Sequence, residues 1–255
     1  MEILSGRQNK ILELARKSGR VEVDELSSHF TVSPQTIRKD LNELCDKQLL
    51  QRIHGGAIVG SGIENVSYEA RRMLAPAAKK AIGASAADLI PDNSSLLLNI
   101  GTTTEQVAHS LSQHRGLLVI TNNINTIDIM KHYPNIELII AGGQVRRSDG
   151  GIIGVATVDF INQFKVDYAV IGVSAIDEDG SLLDYDFREV RVAQAIINNA
   201  RNIILVADSM KFSRNAPIRI GHISQITTMV TDKALHGKLN DICKLNNVNV
   251  ITALP

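Results

Sequence analysis

Apolar residues recur at helical spacing in the first fifty positions and in unbroken runs later. Ile11, Leu12, Leu14 and Ala15 share one helical face, Leu26 and Phe30 lie four apart, and Ile37, Leu41 and Leu44 follow i, i+4, i+7. These spacings predict three short helices. Ser5 and Gln8 have the spacing of a capping box for the first helix, and Gly19 ends it. Asp24 is the expected cap of the second, Thr31, Val32 and Ser33 form a turn, and Ser33 with Pro34 opens the third. Residues 50–57 alternate like a strand and turn at Gly55 and Gly56. A flexible joint falls at Val59, Gly60, Ser61 and Gly62.

An alanine-rich helix is expected over 67–89, interrupted in its early part by Pro76. Apolar runs then occupy 95–100, 117–121, 136–141, 168–172, 202–207, 225–231 and 248–253. Helical patterns fall between them at 104–113, 123–132, 157–164, 187–199 and 232–245. Apolar strands alternating with helices predict an α/β fold, a mostly parallel sheet covered on both faces. The expected domains are 1–58, a linker over 59–74, and 75–255.

Composition narrows the class. The 255 residues are 44% hydrophobic and 21% charged, as in a folded soluble protein. Lys and Arg together number 27, as do Asp and Glu, so the net charge is zero. That argues against a binder held on DNA by bulk charge, but not against a local basic patch. The beginning of the chain lacks a basic-then-apolar leader and no run approaches the roughly 18 apolar residues of a membrane span, so a cytoplasmic protein with no membrane partner is expected. Cys45 and Cys243 are solitary and the seven histidines lack paired ligand spacing, so neither a disulfide framework nor a metal is expected. No cofactor is implied.

Three helices and a hairpin make a winged helix-turn-helix candidate. With Ile37, Leu41 and Leu44 inward, the third helix turns Gln35, Thr36, Arg38, Lys39 and Asn42 outward, and Ser33 stands at its start. Gln suits adenine, Arg suits guanine, and Thr or Lys suits phosphate. Arg52 and His54 would lie along the phosphates as a wing. A solvated helix face explains the same residues without DNA. Residues 1–56 carry nine basic and eight acidic side chains, so position rather than bulk charge would have to do the binding.

In an open parallel sheet, ligands bind beyond the carboxyl ends of the strands. Gly101 with Thr102, Thr103 and Thr104, Asn122 with Asn123, Gly142 with Gly143, Ser174, and Asp208 through Lys211 each follow a candidate strand. A glycine, hydroxyls and a helix N-terminus at 101–104 suit a phosphate, and Lys211 adds a compensating charge. Thr102 and Glu105 also have capping-box spacing, Asn122 and Asn123 suit an N-cap, and Gly142 and Gly143 suit a tight turn. The acidic run Asp177, Glu178, Asp179, Asp184, Asp186 and Glu189 holds enough carboxylates for a general base, but reads more simply as a solvated surface.

The stretch 32–42 followed by 52–57 resembles the signature of the DeoR family of bacterial transcriptional regulators. Residues 100–104, 121–123, 141–143 and 208–212 resemble that family's sensor domain. The resemblance implies a winged helix-turn-helix reading double-stranded operator DNA, and a sensor similar in fold to ribose-5-phosphate isomerase and CoA transferases. It further implies a homo-oligomeric repressor released by a phosphorylated small-molecule effector. A narrower likeness at 149–154, 156–161, 176–183 and 211–216 implies control of glycerol 3-phosphate metabolism, with sn-glycerol 3-phosphate as the expected effector. Asn99 departs from the family, where an aspartate is usual. The alternatives are a repressor of another sugar-phosphate pathway and an active sugar-phosphate isomerase or deaminase.

Overall fold

The computed structural model describes residues 4–18, 20–47, 49–53, 55–58 and 68–254. The chain divides into two compact units, Met1–Met73 and Leu74–Pro255.

The first unit contains α1 (Gly6–Ser18), β1 (Arg20–Glu22), α2 (Val23–Phe30), α3 (Pro34–Asp46), β2 (Gln51–Ile53), β3 (Gly56–Ile58) and α4 (Tyr68–Met73). The capping box at the start of α1 is formed: Gln8 N–H donates to Ser5 Oγ at 3.1 Å and Ser5 N–H to Gln8 Oε1 at 3.0 Å. The cap of α2 differs from expectation. Glu22 holds that position without a side-chain capping bond, and Asp24 sits inside the first turn, where its charge favours the helix dipole. The shift follows from β1, which runs straight into the helix while Val23 N–H donates to the Gly55 carbonyl at 2.9 Å. Thr31 takes a left-handed conformation (φ 53°) and turns the chain toward α3. Ile11, Ala15, Ile37, Leu41, Leu44 and Ala57 are wholly buried and form the core. The three strands pair antiparallel in the order β1-β3-β2.

The alanine-rich stretch forms two helices, α4 and, in the second unit, α5 (Pro76–Ala87). Ala75 before Pro76 is left-handed (φ 47°), which interrupts the helix there, and Pro76 at the first helical position starts a new one.

All seven expected strands belong to one parallel sheet. In chain order they are β4 (Ser95–Leu98), β5 (Leu117–Thr121) and β6 (Ile136–Ile140); then, after the small pair β7 (Gln144–Val145) and β8 (Ile152–Ile153), β9 (Val166–Ile171). The antiparallel β10 (Ala175–Ile176) and β11 (Ser181–Asp184) precede β12 (Ala200–Val206), and β13 (Ile218–His222) precedes β14 (Thr228–Thr231) and β15 (Asn249–Thr252). The large sheet runs β15-β14-β12-β9-β4-β5-β6, and β10-β11-β13 make a separate antiparallel sheet.

Successive strand residues serve opposite faces. Leu97, Ala169, Ile171, Ile203 and Leu205 pack with residues of α8 (Val155–Ile161), α9 (Phe187–Asn198) and α10 (Gly237–Leu245). Leu96, Leu98, Val170, Ile204 and Val206 pack with α5, α6 (Thr102–Ser110) and α7 (Ile124–Met130). Two covered faces require apolar residues at both parities, hence the unbroken runs. No helix among the described residues is long and apolar enough to cross a membrane.

Candidate functional site

In the first unit, α3 presents a polar face. Ser33, Gln35, Arg38, Lys39 and Asn42 are exposed and Thr36 is half-buried. Ser33 is the cap, its Oγ accepting from Thr36 N–H at 3.2 Å and lying 2.9 Å from Thr36 Oγ1. Arg38 Nη1 donates to Gln35 Oε1 at 3.5 Å, which places amide and guanidinium side by side one turn into the helix. Such a pair can meet base edges, and Lys39 and Asn42 on the same helix can reach phosphates. The helix is held from behind by a pair the sequence reading missed: Arg7 Nε lies 2.5 Å from Asp40 Oδ2, and Asp40 is 5% exposed. Arg52 is exposed, and its guanidinium donates to the Gly56 carbonyl across the hairpin, so this side chain shapes the wing besides offering charge. His54 lies outside the described residues.

In the second unit the strand order sets Asp208 (after β12), Ser174 (after β9), Gly101 (after β4), Asn122 (after β5) and Gly143 (after β6) side by side at one sheet edge. At about 4.8 Å between neighbouring strands the row spans roughly 19 Å. A small phosphorylated ligand seated at Gly101 therefore meets its neighbours in the row, not both ends.

Gly101 caps α6 at φ 142°, a conformation open to glycine, and no side chain takes the cap's place. Helix geometry leaves the N–H groups of Thr102, Thr103 and Thr104 without intrahelical acceptors, a ready anion cradle. Thr104 is wholly buried and its hydroxyl donates to the Gly101 carbonyl at 2.8 Å, so only its backbone is left for a ligand. The capping box anticipated at 102–105 is not formed. With the cap displaced to Gly101, Glu105 moves out of reach and its Oε1 accepts instead from Asn123 Nδ2 at 3.2 Å and Asn125 Nδ2 at 3.0 Å.

Asn122 is wholly buried; its Nδ2 donates to the Ile152 carbonyl at 3.1 Å, and its Oδ1 has no hydrogen-bond partner among the described residues. Asn123, not Asn122, is the N-cap of α7, accepting from Asn125 N–H at 2.9 Å. Asp208 Oδ1 accepts from Met210 N–H at 3.1 Å, whereas its buried Oδ2 lacks a partner among the described residues. Lys211 is half-buried in the turn that Asp208 caps. Ser174 is buried and donates to Asp184 Oδ2 at 2.9 Å. Gly143 is required by packing: at φ 152° a Cβ would fall 2.1 Å from Thr157 Oγ1.

The acidic run divides rather than forming one solvated surface. Asp177, Glu178 and Asp179 are exposed, but Asp184 is buried, and Asp186 and Glu189 converge on Arg146. The Arg146 guanidinium also clasps Asp149 at 2.8 and 2.7 Å. Burial works against the Arg146 charge, but Glu189 and Asp149 outweigh it and hold the pKa raised. Arg188, with Arg146 behind it, keeps Asp186 well below the carboxylate range. Burial, with the Asp184 charge beside it, pushes Glu189 up to about 8 against the pull of Arg146. Asn125 Nδ2 donates to the Asp149 carbonyl at 3.0 Å, which connects this cluster to Glu105 on α6. The spacing of Arg146 and Asp149 was the available sequence signal for it.

Comparison with known proteins agrees with both units. Residues 7–61 match the DeoR-like helix-turn-helix domain, and residues 75–233 match the DeoR C-terminal sensor domain. The chain is 46% identical over 226 residues to the glycerol-3-phosphate regulon repressor of Escherichia coli, covering 89% of this chain and 90% of that protein. It is 44% identical over 234 residues to the protein of that name from Haemophilus influenzae, covering 92% and 91%. Among solved structures, ribose 5-phosphate isomerase from Plasmodium falciparum overlaps 54% of this chain and 53% of its own at 16% identity, with a TM-score of 0.39. The family match over more than half of the length, and relatives of this identity, establish that the chain belongs to the DeoR family of transcriptional regulators.

Proposed function

We propose that the protein is a DNA-binding transcriptional repressor of glycerol 3-phosphate metabolism. It is a regulator, not an enzyme. The observation carrying this reading is the 46% identity to a glycerol-3-phosphate regulon repressor across about nine-tenths of both chains. The α3 face, with Gln35, Thr36, Arg38, Lys39 and Asn42, meets the major groove, and Arg52 with His54 follows the phosphates. The effector is a phosphorylated small molecule, sn-glycerol 3-phosphate, with its phosphate at the N–H groups of 101–104. Asn122 and Ser174 flank it, and Asp208, Lys211 and Gly143 stand further along the row.

Repressor and released states differ in affinity for the effector, and a coupling of about 1–3 kcal/mol is typical of such pairs. Two copies, working in the cytoplasm, match two inverted half-sites. The test is operator binding titrated with a panel of phosphorylated polyols and sugars. Release at lower concentration by sn-glycerol 3-phosphate than by the other compounds is expected. Equal response across the panel would discard the effector while leaving the family intact.

A further inference from the structure

We propose that the open groove between α8 and α9 is a self-association surface, on which a second copy of this chain seats about a two-fold axis. On α8 and its C-cap, Val155, Val158, Asp159 and Asn162 recur at i, i+3, i+4, i+7; on α9, Phe187, Arg191 and Gln194 recur at i, i+4, i+7. Two helical stripes thus face one groove of about 520 Å³. Val155 is 68% exposed and Phe187 64%, although a phenylalanine gains by burial.

The charges select the occupant. Asp159 and Arg191 are exposed, of opposite sign, and neither forms an ion pair among the described residues. Arg188 on the same rim is already neutralised by Asp186 at 2.7 Å. The groove therefore has no excess positive charge for nucleic acid, and it is an open trough whose apolar side chains stand outward rather than an enclosed small-molecule pocket. A two-fold copy satisfies it twice: Asp159 of one protomer meets Arg191 of its partner and the reverse, with Phe187 entering the facing groove. Each contact is then made twice with the two partners exchanged, as an isologous interface requires. The inference deepens the reading of a paired operator-binding repressor and rests on it.

The face also neighbours the buried charge cluster. Asp186 caps α9 immediately before Phe187, and Arg146 binds it. The surface is therefore connected by hydrogen bonds, through Asp149 and Asn125, to Glu105 on the effector helix.

The experiment is sedimentation velocity on the full chain over a concentration series, with circular dichroism to verify folding. Phe187→Asp and the milder Phe187→Ala should each raise the dissociation constant by at least about tenfold, as loss of an interface anchor does. Asp159→Arg and Arg191→Asp should each weaken association, and the double variant should restore it. Folded variants that keep the wild-type mass would overturn the assignment of this face while leaving a paired repressor standing. A double variant weaker than both singles would overturn the two-fold charge pairing. A wild-type chain that stays monomeric at every concentration would overturn the paired reading itself.

Discussion

Asn125 Nδ2 donates to Glu105 Oε1 and to the Asp149 carbonyl, each at 3.0 Å, and so ties the helix carrying the phosphate cradle to the loop between β7 and β8. Truncation as Asn125→Ala removes donors to the buried Glu105 carboxylate and to the Asp149 carbonyl. A hydrogen bond to a charged group contributes about 1.5–3 kcal/mol of stability, and the loosened hold on α6 should lower effector affinity. Calorimetry should show that fall with effector-free operator affinity unchanged. Equal loss of both would mean that the bond supports folding only.

On the recognition helix, Arg38→Ala should weaken operator binding by about 1–3 kcal/mol and relax preference at one base pair. Fluorescence anisotropy with the operator and single-base variants reads both effects. Unchanged affinity would remove Arg38 from the reading face.

The phosphate cradle is separable from the DNA face. Thr102→Ala combined with Thr103→Ala removes two hydroxyls and keeps the backbone N–H groups, so it should weaken release by effector and spare operator binding; Lys211→Ala, further along the row, should have the smaller effect. Normal effector affinity in these variants, measured by calorimetry, would remove the Thr102 and Thr103 hydroxyls and Lys211 from the site.

Much of this was legible in advance, and the reasons are local. Strands covered on both faces need apolar residues at successive positions through their centres, so β4, β5, β9 and β12 announce themselves, and Ser33 with Pro34 marks the start of α3 by chemistry confined to four residues. The three-stranded sheet at 175–176, 181–184 and 218–222 was illegible because its strands interleave polar residues and glycine with apolar ones and one pairing joins segments more than thirty residues apart. The role of Glu105 stayed open in the sequence because the Thr-x-x-Glu spacing fits a cap and a binding site equally; the conformation of Gly101 decides against the cap. Asp186 and Glu189 looked like solvated carboxylates because their partner, Arg146, lies some forty residues earlier.

Glu189 gives the sensor a pH signature. Its pKa in the fold, about 8, lies above that of an unfolded glutamate, so the folded protein binds the extra proton. The stability it contributes is complete below the ordinary glutamate range and is lost as pH rises toward 8. Glu189→Gln should flatten the decline in melting temperature across that interval, read by circular dichroism at a series of pH values. An undiminished decline would place its origin in another group.

Asp40→Ala leaves Arg7 without its partner behind α3. Arg7 is one-third exposed, so the cost should fall between those of surface and buried pairs, about 1–2 kcal/mol. Urea unfolding of the N-terminal unit should shift accordingly. A shift comparable to that of an exposed pair such as Lys10 with Glu13 would show that water replaces the bond.

The alternation of strand residues between two cores has an evolutionary consequence. Leu96, Leu97 and Leu98 commit every side chain to packing, and the proposed ligand contacts begin only at Gly101, beyond the end of the strand. Folding and chemical taste are therefore written in different letters of the sequence. Substitution in the loops can retune which metabolite is sensed while the sheet remains untouched, so one scaffold can diversify across a metabolic network without passing through unstable ancestors.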